Sequence, residues 1–121
     1  MVIVWVNDFF FGSKIETEAR THNAPCYFVD NPHEAIKAVE ESASSSVMLI
    51  DLDMPHRTFE TIRTLKARFL DSELKIVGFM SHVQVDLADR ARLAGCDLVM
   101  PRSLFAARLP EIFELDAVIV R

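Results

Sequence analysis

Val47-Met-Leu-Ile50-Asp51-Leu52-Asp53-Met54-Pro55 passes from four apolar residues directly into two carboxylates and a proline. A run that is apolar throughout, rather than alternating, suits a strand covered on both faces. The same signature recurs at Val2 to Val6, Cys26 to Val29, Lys75 to Met80 and Leu98 to Met100, with helical patterns between the runs. Such alternation implies parallel strands joined by crossover helices. Right-handed crossovers leave few arrangements, so the expected fold class is α/β, a doubly wound five-stranded parallel sheet in the order 2-1-3-4-5.

The segments between the runs carry helix signals. Asn31-Pro32-His33-Glu34 offers an N-cap, a proline at the first helical position and an acid at N3, and Ala35, Ile36 and Val39 follow on one face. Phe59, Ile62, Leu65 and Phe69 form an amphipathic stripe after Thr58, and Leu87, Ala91 and Leu93-Ala94 another, ended by Gly95. Phe9-Phe10-Phe11 opens the first helix and is expected mostly in the core, with one ring exposed as a candidate partner surface. Leu104 to Leu115 closes the domain, with Pro110 bending, interrupting or restarting that helix. Ser42 to Ser46 reads as a surface loop. The organisation is therefore one domain over residues 1–115 and a tail, 116–121, whose β-branched run Val118-Ile119-Val120 suggests an extra edge strand or a partner-binding strand.

With 121 residues, half of them apolar, the chain can bury one core. Its formal net charge of -5 provides no overall positive field for nucleic acid or anionic lipid. The scattered Arg90, Arg92, Arg102 and Arg108 read as a solvated face. No apolar stretch approaches the roughly 20 residues of a membrane span, and Met1 to Val6 lacks a signal peptide's basic flank, so a cytoplasmic location is expected. Cys26 and Cys96 lack metal-ligand or disulfide spacing and read as buried free thiols.

Doubly wound sheets place functional groups just past the carboxyl ends of their strands. Asn7 and Asp8 follow the first strand, Asp51 and Asp53 the third, Ser81 the fourth and Arg102 the fifth. Converging carboxylates attract a hard divalent cation such as magnesium, and a hydroxyl and a cation opposite them suit phosphoryl oxygens. Simpler uses stand beside these. Asp8 would cap the first helix; Ser81 with Gln84 makes a capping box; Arg102 would pair with Asp51 or Asp8. His82 reads as a rim or packing histidine, since no nucleophile stands at a suitable spacing.

The stretch Leu49-Ile-Asp51-Leu-Asp53-Met54-Pro55, with Asp8, Ser81, Ala94-Gly95-Cys96-Asp97 and Arg102 in order, resembles the receiver domain of two-component response regulators. The resemblance spans the chain to about Leu115 and implies a flavodoxin-like receiver architecture. It implies Asp51 as phospho-acceptor, with Ser81 and Arg102 contacting the phosphoryl group. Magnesium would be held by Asp8, Asp51 and the Asp53 backbone carbonyl, with Asn7 a weak ligand. The sequence also departs from the family pattern. Asn7 replaces an acid, which implies weak magnesium binding. Arg102 replaces a lysine, Ser103 a proline, His82 a small residue, and Val99 the aromatic that reports activation.

The expected function is a single-domain signalling module, not an enzyme, that accepts a phosphoryl group on Asp51 from a sensor histidine kinase or phosphotransfer protein. A downstream protein would bind the face formed by the fourth helix, fifth strand and last helix; a homodimer is also compatible. The alternative is a phosphorylation-independent pseudo-receiver. A minor alternative, a small flavodoxin-like enzyme, is opposed by the absence of a Gly-rich phosphate loop around Gly12, Gly78 or Gly95.

Overall fold

The computed structural model describes residues 1–24, 26–42, 45–70, 73–82 and 84–120. In chain order the elements are β1 (Val2–Trp5), α1 (Phe9–Thr21), β2 (Cys26–Phe28), α2 (Pro32–Glu41), β3 (Ser45–Asp51) and α3 (Pro55–Arg68). β4 (Glu73–Met80), α4 (Val85–Ala94), β5 (Leu98–Pro101), α5 (Arg102–Ala107) and α6 (Leu109–Val120) follow. All strand pairs are parallel, in the order β2-β1-β3-β4-β5. This is the expected doubly wound sheet.

Successive side chains of a strand point to opposite faces, and both faces here are apolar. Ile3, Trp5, Met48, Ile50, Ile76 and Met80 pack under α2, α3 and α4. Val2, Val4, Val47, Leu49, Val77 and Phe79 face α1, α5 and α6. Each large apolar side chain so buried stabilises the fold by roughly 1.5–3 kcal/mol before entropy is charged. Gly78 lets the layers meet: a Cβ there would lie 2.5 Å from Leu52 Cδ1 and 2.9 Å from Cys96 Sγ. Cys96 is itself buried, which pushes its thiol up to about 12, as expected of a structural thiol, whereas Cys26 is only half-buried.

The helix signals behave locally as the residues dictate. Asn31 Oδ1 accepts from Glu34 N at 2.9 Å, while Asn31 Nδ2 donates to Glu34 Oε1 at 2.7 Å. Gly95 ends α4 at φ 127°, a backbone open to glycine and strained for other residues. Four expectations need correction. First, Phe9 and Phe10 are 82% and 85% exposed, leaving Phe11 as the core member of the triplet. Successive helical residues are 100° apart, so three consecutive rings cannot share one buried face. Second, α4 buries Ala88, Ala91 and Ala94 and turns Leu93 outward, 87% exposed. Third, β3 begins at Ser45, inside the expected loop; Ala43 and Ser44 of that loop lie outside the described residues.

The fourth concerns the chain end. The helix expected over Leu104 to Leu115 is divided, α5 ending at Ala107 and α6 restarting at Leu109 with Pro110 in its first turn. That helix continues to Val120, so residues 116–120 form no sixth edge strand; Arg121 lies outside the described residues. No Gly, Pro or Asn interrupts the chain between Leu115 and Val120. Extending an existing helix adds one hydrogen bond per residue, which outweighs the few tenths of a kcal/mol that β-branching costs.

Candidate functional site at the carboxyl edge of the sheet

Parallel register aligns the strand ends. Asp51 pairs with Phe79, and Met80 with Pro101, so the residues just past β1, β3, β4 and β5 converge. Asp8 caps α1: its Oδ1 accepts from Phe10 N at 2.9 Å and Phe11 N at 3.2 Å. Its other oxygen, Oδ2, accepts from Arg102 Nη1 at 3.0 Å. Asp8 thus fills the structural role and also faces the pocket.

Arg102 binds the cluster together. Its Nη2 lies 3.8 Å from Asp51 Oδ2 and 3.8 Å from Asp53 Oδ2. The guanidinium carbon stands 4.9 Å from the Phe11 ring centroid and 5.7 Å from that of Phe79. Phe11, Phe79 and Phe105 pack together, with the Phe79 and Phe105 rings stacked at 4.4 Å. Aromatic faces attract a guanidinium, so the platform supports the cation while its fork reaches the carboxylates. Arg102 Nε is buried and donates to no group among the described residues.

Asp51 is 4% exposed, and its Oδ1 accepts from Asp53 N at 2.9 Å. Burial raises the Asp51 pKa above its ordinary value; the Asp53 and Asp8 charges act in the same direction, against the Asp53 amide and Arg102. Asp8 is shifted the other way, held below its ordinary value first by the Phe11 amide and further by Phe10 and Arg102, against partial desolvation.

Asp53 contributes through its side chain, a role that the sequence did not disclose. Its Oδ2 accepts from Ser81 Oγ at 2.5 Å, and its two oxygens accept from Ser81 N at 3.2 and 3.1 Å. The Ser81–Gln84 capping box therefore does not form; Gln84 is itself the N-cap position of α4 and makes no capping bond through its side chain. Asn7 and His82 are both exposed. Asn7 lines, with Asp8, Phe9 and Phe28, a hollow of about 330 Å³ beside the cluster. Val99 is half-buried against the α2–α3–α4 core.

The residues present do not fit a magnesium ion. A hard divalent cation needs oxygen ligands free to turn toward it. Here Asp8 is committed to α1 and Arg102, Asp53 to Ser81, and a guanidinium already neutralises the space between them. Among the described residues no group of three or more His, Cys, Asp or Glu side chains is arranged to hold a metal.

No family model matches this sequence, and no curated protein matches it. Solved structures do match the fold. A response regulator from Hahella chejuensis superimposes with a TM-score of 0.76 at 20% identity, over 99% of this chain and 97% of that one. A response regulator from Thermotoga maritima gives 0.77 at 14%, covering 97% of each chain. A beryllofluoride-activated receiver domain dimer gives 0.74 at 20%, over 95% of this chain and 97% of that one. The chain has the flavodoxin-like fold of response-regulator receiver domains.

Proposed function

We propose that this chain is a receiver-fold signalling module that acts through protein–protein binding and whose pocket works without phosphorylation. The observation that carries this reading is the seat of Arg102, a guanidinium directed at Asp8, Asp51 and Asp53 over an aromatic platform. Asp51 beneath it is almost fully covered. The binding face is the one expected at α4, β5 and the following helices. Leu93, Leu98 and Leu104 are exposed there, and a groove of about 450 Å³ runs between β5 and Arg108, Glu111 and Ile112. Exposed apolar surface of this kind marks protein contacts.

Among the described residues no helix is long and apolar enough to cross a membrane. A cytoplasmic module that turns over no metabolite agrees with this reading. The test is nuclear magnetic resonance of the labelled protein with magnesium and beryllofluoride, a phosphoryl mimic. The expected outcome is unchanged amide shifts at Asp51, Ser81 and α4; saturable shifts there would overturn the reading.

The convergence of Asp51, Ser81 and Arg102 favours a second reading. In it Asp51 accepts a phosphoryl group from a kinase or phosphotransfer protein. A carboxylate oxygen attacks phosphorus, the phosphorus–nitrogen bond of a phosphohistidine breaks, and the imidazole leaves. The same beryllofluoride experiment separates the two.

A further inference from the structure

We infer that Arg102 is the resident cation of this pocket, standing where a free divalent ion would otherwise be drawn and tying together the ends of β1, β3 and β4. The inference rests on the reading of this edge as a receiver-type pocket. Three observations carry it.

The first is reach. One side chain, rooted immediately after β5, contacts Asp8 after β1 and both Asp51 and Asp53 at the end of β3. Asp53 passes the connection to the start of the β4–α4 loop through both the hydroxyl and the amide of Ser81. A planar fork with several donors can serve more than one carboxylate, which a compact ammonium does less well.

The second is support. The guanidinium rests over Phe11 and Phe79, so its position is set by packed rings as well as by the acids it meets. A surface arginine swinging in solvent has no such platform.

The third is charge. Asn7 adds no carboxylate to the cluster, so three acids face one fixed cation. The guanidinium would repel any divalent ion drawn to Asp8 and Asp51, here taken at a separation on the order of 4 Å. Even at the dielectric constant of water, that repulsion weakens its binding by roughly thirtyfold. Removing the guanidinium should therefore open a divalent site where the intact chain has none.

The test is calorimetric titration of MnCl2 and MgCl2 into the full chain, Arg102→Ala, Arg102→Gln and Arg102→Lys, with the Ser81 amide followed by nuclear magnetic resonance. The expected result is no saturation by the unaltered chain at millimolar ion. Arg102→Ala and Arg102→Gln should gain affinity by about thirtyfold or more, with Arg102→Lys between. The Ser81 amide should shift in the ion-free alanine and glutamine variants and move back when diamagnetic Mg²⁺ is added. Equal divalent affinity in all four proteins would overturn the inference, as would an unmoved Ser81 amide. If Arg102→Ala fails to fold, Arg102→Gln carries the comparison; if neither folds, the gain in Arg102→Lys decides it. A divalent site opened by these variants alongside beryllofluoride shifts in the unaltered chain would sink the phosphorylation-independent reading and leave the resident cation standing. The reverse pattern would do the opposite.

Discussion

Two ion-pair clusters hold opposite edges of the sheet, and they are built differently. At the amino edge Lys66 Nζ donates to Asp97 Oδ2 at 2.8 Å and to Leu74 O at 3.1 Å. The same Asp97 oxygen accepts from Ile76 N at 2.7 Å, and Asp97 N donates to Ile76 O at 2.8 Å. One cation meets one anion, and both are tied to backbone. At the carboxyl edge one guanidinium serves three carboxylates, Arg102 Nε finds no acceptor among the described residues, and Asp51 is buried with a raised pKa. The first is a one-to-one pair tied to backbone; the second gathers three carboxylates around a single cation, the charge imbalance on which the proposed pocket rests.

The amino-edge pair should show the largest effect on stability. Asp97→Ala leaves the Ile76 amide and the half-buried Lys66 ammonium without their acceptor, and should cost about 2–3 kcal/mol. Urea denaturation checks this; a cost near zero would erase the contrast between the two edges.

At the carboxyl edge the sign should reverse. Asp51 has a raised folded pKa, chiefly from burial, so its charged form opposes folding at neutral pH. Asp51→Asn should therefore stabilise the protein at pH 7. As pH falls through the raised pKa, the unaltered fold takes up its proton and recovers stability. The advantage of the variant should accordingly shrink, and vanish below the ordinary value of 3.8. Thermal melts of both proteins from neutral pH downward give the readout, and an advantage independent of pH would contradict the buried-carboxylate account.

The smallest change belongs to a pair at neither edge. Asp89 and Arg92 meet at 3.2 Å on the exposed face of α4, with side chains 62% and 54% accessible. Asp89→Ala should alter stability by no more than about 0.5 kcal/mol, since exposed pairs are well screened. A larger loss in denaturant titration would show that α4 depends on its surface charges.

Much of this architecture was legible in the chain before folding was considered. Apolar runs of strand length, the Asn31-Pro32 helix start, the stop at Gly95 and acids at successive strand ends are local patterns. Each follows from side-chain periodicity or backbone freedom; with right-handed crossovers they imply the five-stranded order, while the resemblance to receiver domains implied that Asp8, Asp51 and Arg102 share one edge. Tertiary structure alone decided which acceptor each donor took. Ser81 could have capped its own helix with Gln84, but β3 and β4 lie side by side and bring the Asp53 carboxylate to its hydroxyl and amide at once. Arg102 could have remained a solvated surface charge, but Phe11 and Phe79, 68 residues apart in sequence, stand together and form its platform. Propensity and periodicity act over a few residues; the choice between competing polar partners is made by distances that exist only once the sheet has closed.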